Sequence, residues 1–207
     1  GNDKQEFLKL AAQIEGVYVP SLYNVEYNDD GTIKSFTETK NAPEKIKKRI
    51  IKDLDKVEYP KEFVTPFIET VFDRATVEIF RGCIRGCRFC QAGFLYRPVR
   101  EKSADIVDEQ AKCLCANTGY DELSILSLST SDYTQLNEML EKMLPWTEAQ
   151  KINLALPSLR IDNFSDELLK KIASVRKSGL TFAPEAGTQR LRDASNKNVT
   201  EEEILNT

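Results

Sequence analysis

Three cysteines share one short stretch, EIFRGCIRGCRFCQAG (residues 78–93): Cys83, Cys87 and Cys90, in the spacing C-x3-C-x2-C. Thiolates act as nucleophiles and as soft metal ligands, so several chemistries compete for this loop. The chain has five cysteines and no histidine. Its first residues, GNDKQEFLKL, lack the charged-then-apolar layout of a secretory signal, which disfavours a disulfide scaffold. A structural zinc site closes with four cysteine or histidine ligands; here a second C-x2-C pair is missing, and Cys113 or Cys115 would have to fold back. A redox pair at Cys87 and Cys90 leaves Cys83 unexplained and has no histidine base. Burial as small hydrophobes suits Cys113 and Cys115, which fall in a helical pattern, better than a loop rich in glycine and arginine. An iron–sulfur cubane uses all three loop cysteines. Four thiolates normally hold such a cluster, and three leave one iron open, the mark of a working metal site. A non-catalytic iron–sulfur or metal-binding module for electron transfer or sensing stands as the alternative, with the missing fourth cysteine against it.

Charge is concentrated at the same place. From Ile79 to Arg100 there is no acidic residue, and Arg81, Arg85, Arg88, Arg97 and Arg100 all fall there, in a chain whose net charge is −4. Guanidinium groups near the cysteines would lower the thiolate pKa values and offset the negative charge of a cluster. The same basic loop admits an RNA substrate.

The elements that must position this loop follow a rhythm. ATVEIF (75–80), ELSILSLS (122–129), INLALP (152–157) and GLTFAP (179–184) read as strands. SADIVDEQAKCLCA (103–116), with Ser103 as its cap, YTQLNEMLEKML (133–144) and SDELLKKIASVRK (165–177) read as the helices between them. Such alternation predicts βαβ units and a parallel sheet, with functional groups on the loops after the strand C-termini. The cysteine loop begins just after Phe80, the end of the first predicted strand. Residues 1–74 read differently. Phe7, Leu8, Leu10, Ala11 and Ile14 have helical spacing with Gly16 as a stop. Tyr23, Val25 and Tyr27 alternate into NDDG, then Ile33 and Phe36, as a hairpin. EKIKKRIIKDLDK fits either a helix or extended chain, and VEYPKEFVTPFIET reads as a proline-punctuated linker. The expected division is therefore an extension or linker over 1–74 and a β/α core over 75–207.

A chain of 207 residues, 41% hydrophobic and 30% charged, has the make-up of an ordinary globular protein. No apolar window is long enough for a membrane span, and a cytoplasmic location is expected. Gly1 reads as the scar of a removed tag. Thr200 with Glu201 to Glu203 reads as the start of a helix, so an excised piece of a longer protein is expected.

Cys83-x3-Cys87-x-Phe89-Cys90 resembles the C-x3-C-x-aromatic-C motif of the radical S-adenosylmethionine (SAM) superfamily. RGCIRGCRFCQAGFLYRPVRE, GYDELSILSLSTSDY, LPSLRID and TFAPEAGTQRLRD together are similar to one uncharacterised bacterial group in which a cobalamin-binding domain precedes the radical SAM domain. GVYVPSLYNVEY, within residues 1–74, looks like the joining segment, and the similarity covers nearly the whole chain. The resemblance implies an α/β fold: a partial (β/α)6 TIM-like barrel, truncated after about four βα units and preceded by the N-terminal helix and hairpin. It implies a [4Fe–4S] cluster on Cys83, Cys87 and Cys90, with the amino and carboxylate groups of SAM on the open iron. In that family the reduced cluster passes one electron to the sulfonium, the C5′–S bond breaks, and a 5′-deoxyadenosyl radical takes a hydrogen from substrate.

Residue roles follow the matching motifs. Phe89 resembles the aromatic residue beside the adenine. Where family members have Gly-Gly-Glu after the second strand, this chain has LSTSDY, whose Ser129, Ser131 and Asp132 offer oxygens to the SAM amino group. Ser158 and Arg160 of PSLR match the ribose and carboxylate contacts, and Glu185 of APEAG a ribose or amino contact. The implied partners are the upstream cobalamin-binding domain, with its cobalamin, and an electron donor such as flavodoxin or ferredoxin. Methyl transfer or radical modification is the implied reaction, the substrate is unassigned, and this length of chain is expected to be inactive alone.

Overall fold

The computed structural model describes residues 3–163 and 181–207. The predicted helix 165–177 and the first two residues of the predicted strand 179–184 lie outside them. Two units are distinguished, Gly1–Ile51 and Lys52–Thr207.

In the first unit, α1 (Lys4–Ala11) is capped by Asp3, whose carboxylate accepts from the Gln5 N–H at 2.8 Å. β1 (Tyr23–Tyr27) and β2 (Ile33–Glu38) pair antiparallel as the expected hairpin. Ala12, Val19, Leu22 and Tyr23 form a small core, and the Tyr23 ring stacks on Phe36 at 5.0 Å. EKIKKRIIKDLDK forms no helix. Its lysines and Arg49 stand at i,i+3 and i,i+4, where like charges oppose a helix.

In chain order the second unit runs β3 (Ala75–Glu78), β4 (Phe80–Arg81), α2 (Gln91–Leu95), β5 (Arg100–Glu101), α3 (Ala104–Thr118), β6 (Glu122–Leu126), α4 (Leu136–Gln150), β7 (Asn153–Ala155), α5 (Gln189–Ala194) and α6 (Glu201–Asn206). β3, β6 and β7 form one parallel sheet in that spatial order, with Ala75 opposite Leu123 and Leu123 opposite Leu154. The helices between them are set by local signals. The Ser103 hydroxyl accepts from the Ile106 N–H, and Gly119, at φ 74°, ends α3. Val107, Ala111, Leu114 and Cys115 on α3, and Leu136, Met139, Leu140 and Met143 on α4, are buried at helical spacing. They meet Val77, Ile79, Leu123, Ile125 and Leu154 in one core. Each large aliphatic side chain so buried stabilises by about 1.5–3 kcal/mol, which is what holds three short strands in place.

Parallel strands in sequential order, with a helix in each connection, make this an α/β fold, the opening part of a TIM-like barrel. Among the described residues the sheet stays open. Strand alternation gives the sheet two faces. Leu123 and Ile125 enter the helical core, while Ser124, opposite Ala155, lines a cavity on the other face.

Three expectations are corrected. The strand 75–80 divides, because the Ile79 carbonyl accepts from the Lys102 N–H at 2.8 Å; Phe80 and Arg81 then pair antiparallel with Glu101 and Arg100. α4 starts later than expected and continues through Pro145. Thr181–Pro184 makes no strand: Pro184 has no N–H for a ladder, and Glu185 turns the chain at φ 68°. No described helix is long and apolar enough to cross a membrane.

Candidate active site

The cysteine loop is closed at its base by the β4–β5 ribbon. Gly82 makes this closure feasible. It sits at φ 94°, and a Cβ there would lie 2.8 Å from the Tyr96 carbonyl oxygen, 2.9 Å from that of Pro98 and 3.0 Å from the Val99 Cα. Within the loop, Cys83 and Cys87 are buried and Cys90 is half-buried, and none forms a disulfide. The Arg85 N–H points to the Cys83 sulfur at 3.4 Å, and the Cys90 N–H donates to the Cys87 carbonyl at 3.1 Å. α2 starts directly after Cys90.

All three cysteines line one cavity of 530 Å³. It opens beyond the C-terminal ends of the parallel strands, where the loops after β3, β6 and β7 converge, and Ser124 and Ala155 give it a wall of small side chains. Of the other residues singled out in the sequence, Phe89, Ser129, Ser158, Arg160 and Glu185 line it, and Ser131 and Asp132 do not. Ser158 and Glu185 both hold left-handed backbone, at φ 59° and 68°, a conformation that non-glycine residues keep mainly where surrounding structure imposes it. Phe89 is half-exposed at the cavity.

Beneath the cavity a charge network joins the three loops. The Arg85 Nε donates to Asp132 at 2.8 Å and its Nη2 to the other Asp132 oxygen, while Nη1 donates to Asp162 at 3.0 Å. Arg160 grips the same Asp162 through Nε and Nη2, at 2.8 and 2.9 Å. The Ser129 hydroxyl donates to Asp132 at 2.6 Å, and the Ser131 hydroxyl accepts from the Arg160 N–H at 3.1 Å. Burial opposes ionisation of Asp132, but the bonds from Arg85 and Ser129 outweigh it and hold its carboxyl below the usual range. The guanidinium of Arg85 is pushed further up, chiefly by its hydrogen bond to Asp132. Thr130 bolts the β6 and β7 loops together: its N–H donates to the Ser158 carbonyl at 3.1 Å and its hydroxyl to that of Pro157 at 2.6 Å.

This geometry revises the reading of the arginines. Arg81 pairs with Glu78 at 2.9 Å, Arg85 with two aspartates, and the Arg88 Nη1 reaches the Ala194 carbonyl at 2.7 Å. Arg97 donates to the Arg85 carbonyl at 3.0 Å and lies over the Phe94 ring. They brace the loop. Sequence reasoning missed Asp162, although Arg-x-Asp in LPSLRID placed it beside Arg160; it also missed Arg74 and Lys197, which line the cavity. Cys115 is buried in α3 as expected, whereas Cys113 is half-buried and its thiol faces the Lys61 carbonyl. Among the described residues no three cysteine or carboxylate side chains stand close enough to hold a single metal ion.

Two proteins of Methanocaldococcus jannaschii are similar to this chain. One, uncharacterized, is 28% identical over 202 residues, which is 95% of this chain and 42% of that protein. The other, provisionally named a methylthiotransferase, is 25% identical over 138 residues, 62% of this chain and 30% of that protein. The chain thus spans less than half the length of either relative. The model of the radical SAM superfamily matches residues 77–207, from the first parallel strand through the cavity-lining loops. On that match, which takes in well over half of its residues, the chain belongs to the radical SAM superfamily.

Proposed function

We propose that this chain is a radical SAM core that holds a [4Fe–4S] cluster on Cys83, Cys87 and Cys90 and cleaves SAM reductively in the cavity those cysteines line. The observation that carries it is the convergence of three disulfide-free thiols with the loops after three parallel strands on one cavity. The donor set fits: each thiolate of a cubane takes its own iron, so the sulfurs need not crowd a single ion, and soft thiolates suit iron–sulfur chemistry. When bound, the cluster supplies the electron that breaks the C5′–S bond of SAM to give a 5′-deoxyadenosyl radical.

The chain's own side chains bind and orient. Arg160 spends Nε and Nη2 on Asp162 and the Lys197 carbonyl, and among the described residues its Nη1 makes no hydrogen bond. That leaves a fixed, permanently charged donor for the SAM carboxylate. Ser129 and Ser158 offer hydroxyls at the cavity wall, and Glu185, paired with Lys197 at 3.0 Å, an acceptor for ribose or amino group. Phe89 offers an aromatic edge for the adenine. Asp132 and Ser131 take the supporting part, holding Arg85 and the Arg160 backbone. The relative named a methylthiotransferase favours group transfer as the downstream reaction. An upstream cobalamin-binding domain, a flavodoxin- or ferredoxin-like electron donor, an RNA substrate and a cytoplasmic setting complete the proposal.

The test is anaerobic reconstitution of the full-length protein with iron and sulfide, then dithionite and SAM. Formation of 5′-deoxyadenosine, lost together with the cluster in Cys83→Ala, Cys87→Ala and Cys90→Ala, is expected. A cluster that assembles but never cleaves SAM would leave the electron-transfer or sensing module as the answer.

A further inference from the structure

The segment that follows α5 reaches back to the cysteine loop from more than a hundred residues away. Its hydrogen bonds fall on the two peptide groups that flank Cys87. The carbonyl of Gly86 belongs to the peptide before Cys87 and accepts from the Asn196 side-chain amide at 2.8 Å. The N–H of Arg88 belongs to the peptide after Cys87 and donates to the Ser195 carbonyl at 2.9 Å. With both peptide planes held, the φ and ψ of Cys87 are fixed, and with them the direction of its Cα–Cβ bond. The Arg88 guanidinium adds a third bond, to the Ala194 carbonyl at 2.7 Å.

The segment is itself made stiff. Arg192, 2% exposed, sends Nε to the Val199 carbonyl at 2.7 Å and Nη1 to the carbonyls of Ala186 and Gly187. Lys197 is held at its carbonyl by Arg160 and at its amine by Glu185. The contact with the loop is close: a Cβ on Gly86 would lie 2.9 Å from the Asn196 side-chain nitrogen, which would have to shift to make room. Asparagine suits the other side, since it tolerates the left-handed φ of 56° found at Asn196 and carries an N–H donor.

We propose that residues 194–196 form a clamp that fixes the backbone of Cys87, and that Asn196 is the positioning residue through which the loop after α5 sets this thiolate's geometry. The proposal rests on the reading of Cys87 as an iron ligand. Asn196→Gly keeps the backbone freedom and removes the donor; Asn196→Asp keeps the shape and turns the donor into an acceptor. In cluster-free protein, alkylation of Cys87 followed site by site by mass spectrometry should accelerate about five- to tenfold in both variants, the scale of one lost hydrogen bond. Cys83 should change less, and unchanged protection of Cys115 reports that the fold is intact. After reconstitution, iron release to a chelator should accelerate by a similar factor. Gly86→Ala attacks the same contact from the other side and replaces any Asn196 variant that fails to fold. The double variant Gly86→Ala/Asn196→Gly should be no worse than the more affected single one, since both remove one bond. Unchanged Cys87 labelling and iron release in folded variants, or fully additive effects, would overturn the clamp. Full cluster assembly by Cys87→Ala would instead sink the ligand reading, and the labelling rates would still report on the clamp.

Discussion

Replacing Gly82 by alanine tests how the cysteine loop is closed. Two costs add at this position. A non-glycine residue at φ 94° takes on left-handed strain of about 1–2 kcal/mol. The added methyl also meets three backbone atoms at 2.8, 2.9 and 3.0 Å, none of which can swing aside as a side chain would. Overpacking of this kind costs about 1–3 kcal/mol, so Gly82→Ala should lose about 2–5 kcal/mol in all, a large share of ordinary domain stability. Gly119→Ala is the internal reference, because Gly119 sits at φ 74° and a methyl added there would meet nothing within 4 Å. It should lose only the conformational part, about 1–2 kcal/mol. Urea unfolding followed by circular dichroism gives both midpoints under one set of conditions. Equal losses in the two variants would refute the claim that close backbone packing, rather than φ alone, requires glycine at the mouth of the loop.

Arg85→Met should destabilise by about 3–5 kcal/mol in the same urea assay, since it removes the guanidinium from the Asp132 carboxylate, whose side chain is 5% exposed. Asp162→Asn should cost less, because Asp132 keeps its guanidinium partner. The Asp132 carboxyl lies below its ordinary range in the folded chain, so its contribution is fully present above the unfolded value of about 4 and is lost as pH falls through the folded one. Asp132→Asn should accordingly flatten the acid limb of stability against pH, and an unchanged limb would refute the assignment. Burial pushes the Cys115 thiol up to about 11. In native protein at pH 8 it should alkylate about two orders of magnitude more slowly than a free cysteine, and at the ordinary rate once unfolded. Ser103→Ala should cost about 1 kcal/mol through loss of the α3 cap.

What could be read from the sequence was what local physics decides. The apolar stripe and caps of α3, the two-residue alternation of β6 and the spacing of the three cysteines all lie within short windows. What could not be read depends on pairing across the chain. Strand 75–80 looked continuous because Ile79 and Phe80 are both apolar; it divides because Lys102 supplies a hydrogen bond from the far side of the loop. The helix expected over 133–144 stops short of Pro145, yet α4 passes through that proline, with Met143 and Thr147 fully buried on either side and the Thr147 hydroxyl donating to the Met143 carbonyl at 3.0 Å. Burial there outweighs a missing helical bond. Arg85 read as part of a basic patch because its acidic partners are remote: Asp132 and Asp162 stand 47 and 77 residues away along the chain. The cavity-lining Ser129, Ser158, Arg160 and Glu185 were nameable, but the division between residues facing the cavity and those bracing it was not.

The β4–β5 ribbon and the 194–196 segment also differ in when they can exist. The ribbon needs only residues up to Glu101, so the cysteine loop can close early in synthesis. The partner of the Gly86 carbonyl is 110 residues further along the chain. At about 5–20 residues per second, the ribosome takes on the order of 5–20 seconds to cover that distance. For that interval the nascent chain carries a closed loop whose central cysteine is still free to turn, and its final orientation waits on a segment made long after the loop itself.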